Sequence, residues 1–220
     1  MSDNIRVILA DDHTLVRKGL IALLDDTDIQ VVGDAEDGRE VLEKAAQLEP
    51  DVVVMDISMP SLNGLEATRQ LKKSLPKTKV LILTMHSNEE YVYETLRAGA
   101  SGYLIKRSAP RELIAAIKAA HRGEYFLSPS ISATVIQKYL QQAAGDSEPA
   151  PPGFTALTPR EREVIQLIAE GLSNPQIADQ LCVSLKTVKT HRSNLMEKLD
   201  LHNTAEITRY AIHTGLISVD

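Results

Sequence analysis

Short apolar runs recur through the first part of the chain: IRVILA, IQVVGD, DVVVMD, KVLILT and SGYLIK. They are rich in Val, Ile and Leu and scarcely alternate with polar residues, which is the pattern of strands buried on both faces. Between them, apolar residues recur three and four apart. Leu15, Leu20, Leu23 and Leu24 form one such set; Val41, Leu42, Ala45 and Leu48 form another. Leu65, Thr68, Leu71 and Leu75 follow, then Val92, Thr95 and Leu96, then Leu113, Ile114, Ile117 and Ala120. These spacings predict amphipathic helices, with Pro76 and Gly99 as stops. Five strands alternating with five helices predict an α/β fold, a five-stranded doubly wound parallel sheet.

The pattern then breaks. QQAAGDSEPAPPGF, Gln141 to Phe154, has prolines, glycines and no apolar period, so it reads as linker. Beyond it the periodicity is helical throughout. Thr158 caps a helix that has Pro159 at its first position and Glu161 three residues after the cap. Ser173 or Asn174 caps a second, Ser184 a third, and a fourth starts near Asn203. The expected domains are therefore 1–125, a linker over 126–155, and a small all-α domain over 156–220.

Composition narrows the class. No apolar run approaches the ~20 residues of a membrane helix, and MSDNIRVIL lacks a signal-peptide pattern. A single cysteine, Cys182, excludes an internal disulfide and reads as a small core residue. A soluble cytoplasmic protein with no membrane partner is expected. The net charge of -6 does not favour nucleic acid. Residues 156–220 hold 7 Lys+Arg against 8 Asp+Glu, so any DNA contact must come from local patterning.

One feature of the strands demands chemistry. VVVMD drives four apolar residues straight into Asp56, although an unpaired buried charge costs several kcal/mol. In an open parallel sheet, ligands gather at the carboxyl ends of the strands. That edge collects Asp11 and Asp12 after the first strand, Asp56 after the third, Thr84 after the fourth and Lys106 after the fifth. Polar residues do mark strand exits. That accounts for any one of these residues but poorly for three carboxylates, a hydroxyl and a lysine together. A hard divalent cation, Mg²⁺, would relieve the repulsion among the carboxylates. Asp56 could then accept a phosphoryl group as nucleophile, with Lys106 pairing one phosphoryl oxygen and Thr84 hydrogen-bonding another.

LADDH, VVVMDISMPSLNG, LTMHS and GYLIKRSAP together resemble the receiver domain of a two-component response regulator, with a flavodoxin-like fold. The resemblance implies that Asp56 is the phosphoacceptor of a sensor histidine kinase. It implies Mg²⁺ held by Asp11, Asp12, Asp56 and the backbone carbonyl of Ser58, with Lys106 and Thr84 serving the phosphoryl group. It also implies a switch pair, Thr84 and Tyr103, in which Tyr103 turns inward once Thr84 is drawn to the phosphoryl group.

In the C-terminal part, Ile177, Ala178 and Leu181 form the inner face of one helix; Val188, Leu195 and Leu199 form that of the next. At about 100° per residue, Lys186, Lys189, Thr190, Ser193 and Asn194 fall on the opposite side. Such a face fits a major groove or simply a solvated helix. The stretch from Leu157 to Ile217 is similar to the LuxR-type helix-turn-helix. Joined to a receiver, it resembles the NarL/FixJ family. That implies a DNA-binding transcription regulator rather than an enzyme, acting on double-stranded promoter DNA as a homodimer when phosphorylated. Base contacts would map to Lys189, Thr190 and Ser193, and phosphate contacts to Lys186, Thr187 and Arg192. By angle, Arg192 lies near the inner flank. A phosphatase of the haloacid-dehalogenase kind is disfavoured, because Asp56 is followed by Ile57 and Ser58 with no second carboxylate for acid catalysis. A phosphate-blind receiver fused to a DNA-binding domain is the other alternative.

Overall fold

Six strands make one parallel sheet in the order β2-β1-β3-β4-β5-β6. They are β1 (Ile5–Ala10), β2 (Ile29–Ala35), β3 (Val52–Met55), β4 (Lys79–Thr84), β5 (Gly102–Ile105) and β6 (Phe126–Leu127). Helices α1 (Thr14–Leu24), α2 (Gly38–Leu48), α3 (Gly64–Ser74), α4 (Glu89–Arg97) and α5 (Ala109–His121) connect them. These features belong to a computed structural model that describes residues 4–85, 89–133, 135–136, 156–214 and 216–217. The chain divides into two compact units, Met1–Ser147 and Glu148–Asp220.

The uninterrupted apolar strands have a simple cause. Successive side chains point to opposite faces, and both faces are covered. Val7, Leu9, Val54 and Leu83 pack with Leu24 of α1 and Ile117 of α5. Ile8, Val53, Met55 and Ile82 pack with Val41 of α2 and Leu71 of α3. Connections leave β1 in one direction and β3 in the other, so the crevice where strand order reverses opens at the carboxyl ends of these two neighbours.

The sixth strand was not expected, and it moves the boundary drawn at Tyr125. Phe126 N–H donates to the Ser101 carbonyl (3.1 Å) and Ser128 N–H to that of Tyr103 (3.0 Å). A Cβ on Gly102 would lie 2.5 Å from the Phe126 carbonyl oxygen, so glycine is what lets the strand approach. Ile131 is enclosed in the core under the sheet. Residues 126–131, read as linker, therefore pack with the sheet. The Pro/Gly-rich stretch 141–154 lies outside the described residues.

The second unit contains α6 (Pro159–Ala169), α7 (Asn174–Gln180), α8 (Leu185–Leu199) and α9 (Thr204–His213). Its caps follow the sequence. Thr158 and Glu161 form a reciprocal capping box, and the Ser184 and Asn203 side chains accept from Thr187 N–H and Glu206 N–H. Such caps contribute about 1 kcal/mol each. Val164, Ile168, Ile177, Val188, Leu195 and Ile207 are buried. Cys182 is exposed rather than in the core. It takes a left-handed φ of 53° in the turn between α7 and α8, with its N–H on the Asp179 carbonyl, and this directs its side chain outward. No described helix is long and apolar enough to cross a membrane.

Candidate functional site

Strand register brings the acids together. Ala10 of β1 pairs with Met55 of β3, so the next residues, Asp11 and Asp56, emerge side by side. The ladder continues past the strand ends: Asp56 N–H donates to the Ala10 carbonyl (2.9 Å) and Asp11 N–H to that of Ala35 (3.1 Å). Lys106 begins a single 3₁₀ turn after β5. Its Nζ lies 2.6 Å from Asp56 Oδ2 and 2.7 Å from Asp11 Oδ2, bridging the two. This answers how a strand can end on a buried carboxylate: Asp56 is 5% exposed and has a cation within hydrogen-bonding distance.

The electrostatics follow from that arrangement. Burial pushes the Asp56 carboxyl above the ordinary range, against the Lys106 charge and hydrogen bond; Asp11 adds to the rise, and a hydrogen bond from Thr84 opposes it. A carboxylate so held is more basic and therefore the better nucleophile. Burial pulls Lys106 down, but Asp56 and Asp11 outweigh it and hold the ammonium charged.

The segment after Asp56 turns tightly. Gly64 N–H donates to the Ile57 carbonyl (2.9 Å), and a Cβ there would stand 2.0 Å from the Asp56 carbonyl oxygen. Asn63 caps α3 through Glu66 N–H (3.0 Å). Ile57 N–H donates to Asp56 Oδ1 at 2.6 Å. Ser58 is buried in this loop, beside the acceptor.

Thr84 and Tyr103 are both fully enclosed. Burial, with the Asp56 charge behind it, pushes the Tyr103 phenol well above its ordinary value. Tyr103 is turned inward in this structure, its ring in the core that Tyr91 and Val92 of α4 share.

One neighbour was missed in the sequence. His13 stands on the acid pair, its Nδ1 2.7 Å from Asp12 Oδ1, while its N–H donates to Asp11 Oδ1 at 3.0 Å. The hydrogen bond and charge of Asp12 raise its pKa. Ligand atoms of Asp11, Asp12 and His13 lie within 4.8 Å of one another. The carboxylates here are hard oxygen donors: Asp11 and Asp56 share Lys106, and Asp12 stands beside His13. That donor set and its uncompensated negative charge fit a small divalent cation such as Mg²⁺.

On α8, Lys186, Lys189, Thr190, Ser193 and Asn194 are exposed, while Val188 and Leu195 face inward. Thr187 is half-buried; its hydroxyl and N–H both meet the Ser184 cap. Arg192 is half-buried on the inner flank that its helical angle gives. Its guanidinium donates to Asn174 Oδ1 (3.3 Å) and Thr204 Oγ1 (2.6 Å), tying α8 to the starts of α7 and α9.

Comparison with known proteins agrees with this geometry. Residues 7–118 match the family described as response regulator receiver domain, and residues 155–211 match bacterial regulatory proteins of the luxR family. Oxygen regulatory protein NreC of Staphylococcus carnosus is 38% identical over 214 residues, spanning 96% of this chain and 99% of that protein. The RcsB response regulator of Salmonella typhimurium, studied for conformational dynamism in DNA interaction, superposes with a TM-score of 0.67 at 27% identity, covering 98% of this chain and 100% of RcsB. A structure of two RcsB dimers bound to two parallel DNAs matches at a TM-score of 0.56 and 28% identity, over 94% of this chain and 97% of that one.

Proposed function

The chain belongs to the two-component response regulators of the NarL/FixJ family, a receiver followed by a luxR-type DNA-binding domain, and on that premise we propose that a sensor histidine kinase phosphorylates Asp56 and thereby controls promoter binding. The observation that carries this is the Lys106 bridge between Asp56 and Asp11 at the switch point of the sheet.

A carboxylate oxygen of Asp56 bonds to phosphorus as the bond from phosphorus to the donor imidazole nitrogen breaks, the electron pair leaving with that nitrogen. Lys106 then moves from carboxylate to phosphoryl oxygen, and the Thr84 hydroxyl donates to another. Asp11, Asp12, Asp56 and the Ser58 carbonyl would hold Mg²⁺, which when bound neutralises phosphoryl oxygens. Hydrolysis of the acyl phosphate returns the carboxylate and inorganic phosphate; beyond that self-directed chemistry the protein is not an enzyme. Tyr103, already enclosed, would be locked in place when Thr84 commits to the phosphoryl group.

The receiver extends past Tyr125 to the helical residues after β6, the linker reaches residue 155, and residues 156–220 bind DNA. On α8, Lys189, Thr190 and Ser193 would meet base edges, and Lys186 and Thr187 phosphates. Arg192 holds the helix in place and reaches DNA only by giving up its two intramolecular partners. The DNA-binding segment carries almost no net charge, so two copies joined by phosphorylation-promoted dimerisation would bind where one would not. As a DNA-binding regulator the protein would act in the cytoplasm.

The test is phosphoryl incorporation from labelled acetyl phosphate with Mg²⁺, wild type against Asp56→Asn, with size by gel filtration on the same samples. Labelling that needs both Asp56 and Mg²⁺, together with dimer formation, supports the reading. Wild-type DNA binding by Asp56→Asn that ignores the phosphodonor would refute it in favour of a phosphate-blind receiver.

A further inference from the structure

Arg17 lies on α1, between the acid pair and the leucines that pack on the sheet, and is 5% exposed. A guanidinium is costly to bury unless its donors are met. Here Nη1 donates to the Asp11 carbonyl at 2.6 Å, Nε to Asp34 Oδ2 at 3.1 Å and Nη2 to Glu36 Oε1 at 2.5 Å. Bonds to Asp34 and Glu36 alone would fasten α1 to the end of β2. The third bond reaches the backbone of the acidic turn.

That carbonyl belongs to the peptide joining Asp11 to Asp12. A peptide is planar, so one bond to its oxygen restrains the plane that carries both Cα atoms. On the other side of Asp11, its N–H is held by the Ala35 carbonyl (3.1 Å). We infer that Arg17 is a positioning residue: by fixing the Asp11–Asp12 peptide it sets the separation and direction of the two carboxylates that receive the divalent cation. The inference rests on the Mg²⁺ reading of that pair. The rigid fork suits the task, since three acceptors in different directions are met by one planar group, which a lysine cannot do. Asp34 and Glu36 also offset the guanidinium charge, so the cation is not repelled by its own scaffold.

The test is binding of Mn²⁺, as a stand-in for Mg²⁺, to the full-length protein without phosphodonor, followed by the electron paramagnetic resonance signal of free Mn²⁺. Arg17→Gln should weaken Mn²⁺ binding about tenfold or more, the range for partners that orient metal ligands. Arg17→Lys should fall between, and it carries the test if Arg17→Gln does not fold by circular dichroism. Asp34→Asn with Glu36→Gln, which spares the bond to Asp11 but bares the guanidinium charge, should lower the thermal midpoint and weaken Mn²⁺ binding less than Arg17→Gln does. Wild-type Mn²⁺ affinity in the folded Arg17 variants, with only the thermal midpoint lowered, would overturn the inference and leave Arg17 as a fastener. Wild-type affinity in Asp11→Asn and Asp12→Asn would overturn the acid-pair reading itself, and this inference with it.

Discussion

Replacing Lys106 with Met removes the cation that bridges Asp56 and Asp11, whose side chains are 6% and 2% exposed. Neither carboxylate can turn to water for compensation. Breaking a buried pair by deleting one partner costs about 3–5 kcal/mol. With a urea slope of about 2 kcal/mol/M for a domain of this size, the receiver midpoint should drop by about 2 M. The chain has no Trp, so unfolding is best followed by far-ultraviolet circular dichroism, and only one of the two domain transitions should move. The pH dependence has a definite sign. Asp56 is held above its ordinary 3.8, so its contribution to stability is full below 3.8 and lost as pH rises through the folded value. Lys106 is held above 10.5, so its own contribution is intact throughout the neutral range. Without Lys106 the Asp56 penalty grows, and the deficit of the variant should widen from acid to neutral pH. Millimolar Mg²⁺ should narrow it. A Lys106→Met protein that unfolds at the wild-type midpoint across pH 5 to 8 would refute this account of why the charge is tolerated.

Gly64→Ala forces a Cβ to within 2.0 Å of the Asp56 carbonyl oxygen, so a loss of about 1–3 kcal/mol in urea unfolding and slowed labelling from acetyl phosphate are expected; unchanged labelling would show that the turn does not set the acceptor. Arg192→Ala should lower the thermal midpoint of the DNA-binding domain by freeing Asn174 and Thr204. Lys186→Ala should leave that midpoint alone and reduce the salt slope of DNA binding by about 1, measured by fluorescence anisotropy. Burial raises Glu161, but hydrogen bonds from Lys198 and Thr158 outweigh it and hold the carboxyl below its ordinary 4.5. Its contribution is thus full above 4.5 and lost as pH falls through the folded value, so Glu161→Gln should flatten the acid limb of the stability profile of the second unit.

What the sequence made legible follows from burial. Strands covered on both faces cannot hide: Val52 to Met55 is apolar at every position because each is enclosed. The acid edge was legible for the same reason, since Asp56 interrupts a run with no other polar residue. Thr158, Ser184 and Asn203 announced their helices because a cap is a local side chain-to-backbone bond. Less could be read where a residue's partners lie far along the chain. Arg17 sits on an amphipathic helix and passes for part of its wet face; only the fold brings Asp34 and Glu36 to it. Arg192 is assigned by helical angle to a flank, and Asn174 and Thr204 decide which way it turns. The strand β6 has two half-buried residues, too few for any period to show.

That short strand has a practical consequence. Phe126 and Leu127 cover what would otherwise be the open rim of the sheet along Gly102 and Tyr103. A fragment cut at Tyr125 would bare a flat, apolar border of unsatisfied amides and carbonyls, the kind of surface on which chains zip together edge to edge. It would also strip Ile131 from the core that encloses Tyr103. A receiver fragment meant to stay monomeric in the test tube should keep the chain through at least residue 133, and a clumping tendency seen in anything shorter would reflect the cut rather than the signalling state of Asp56.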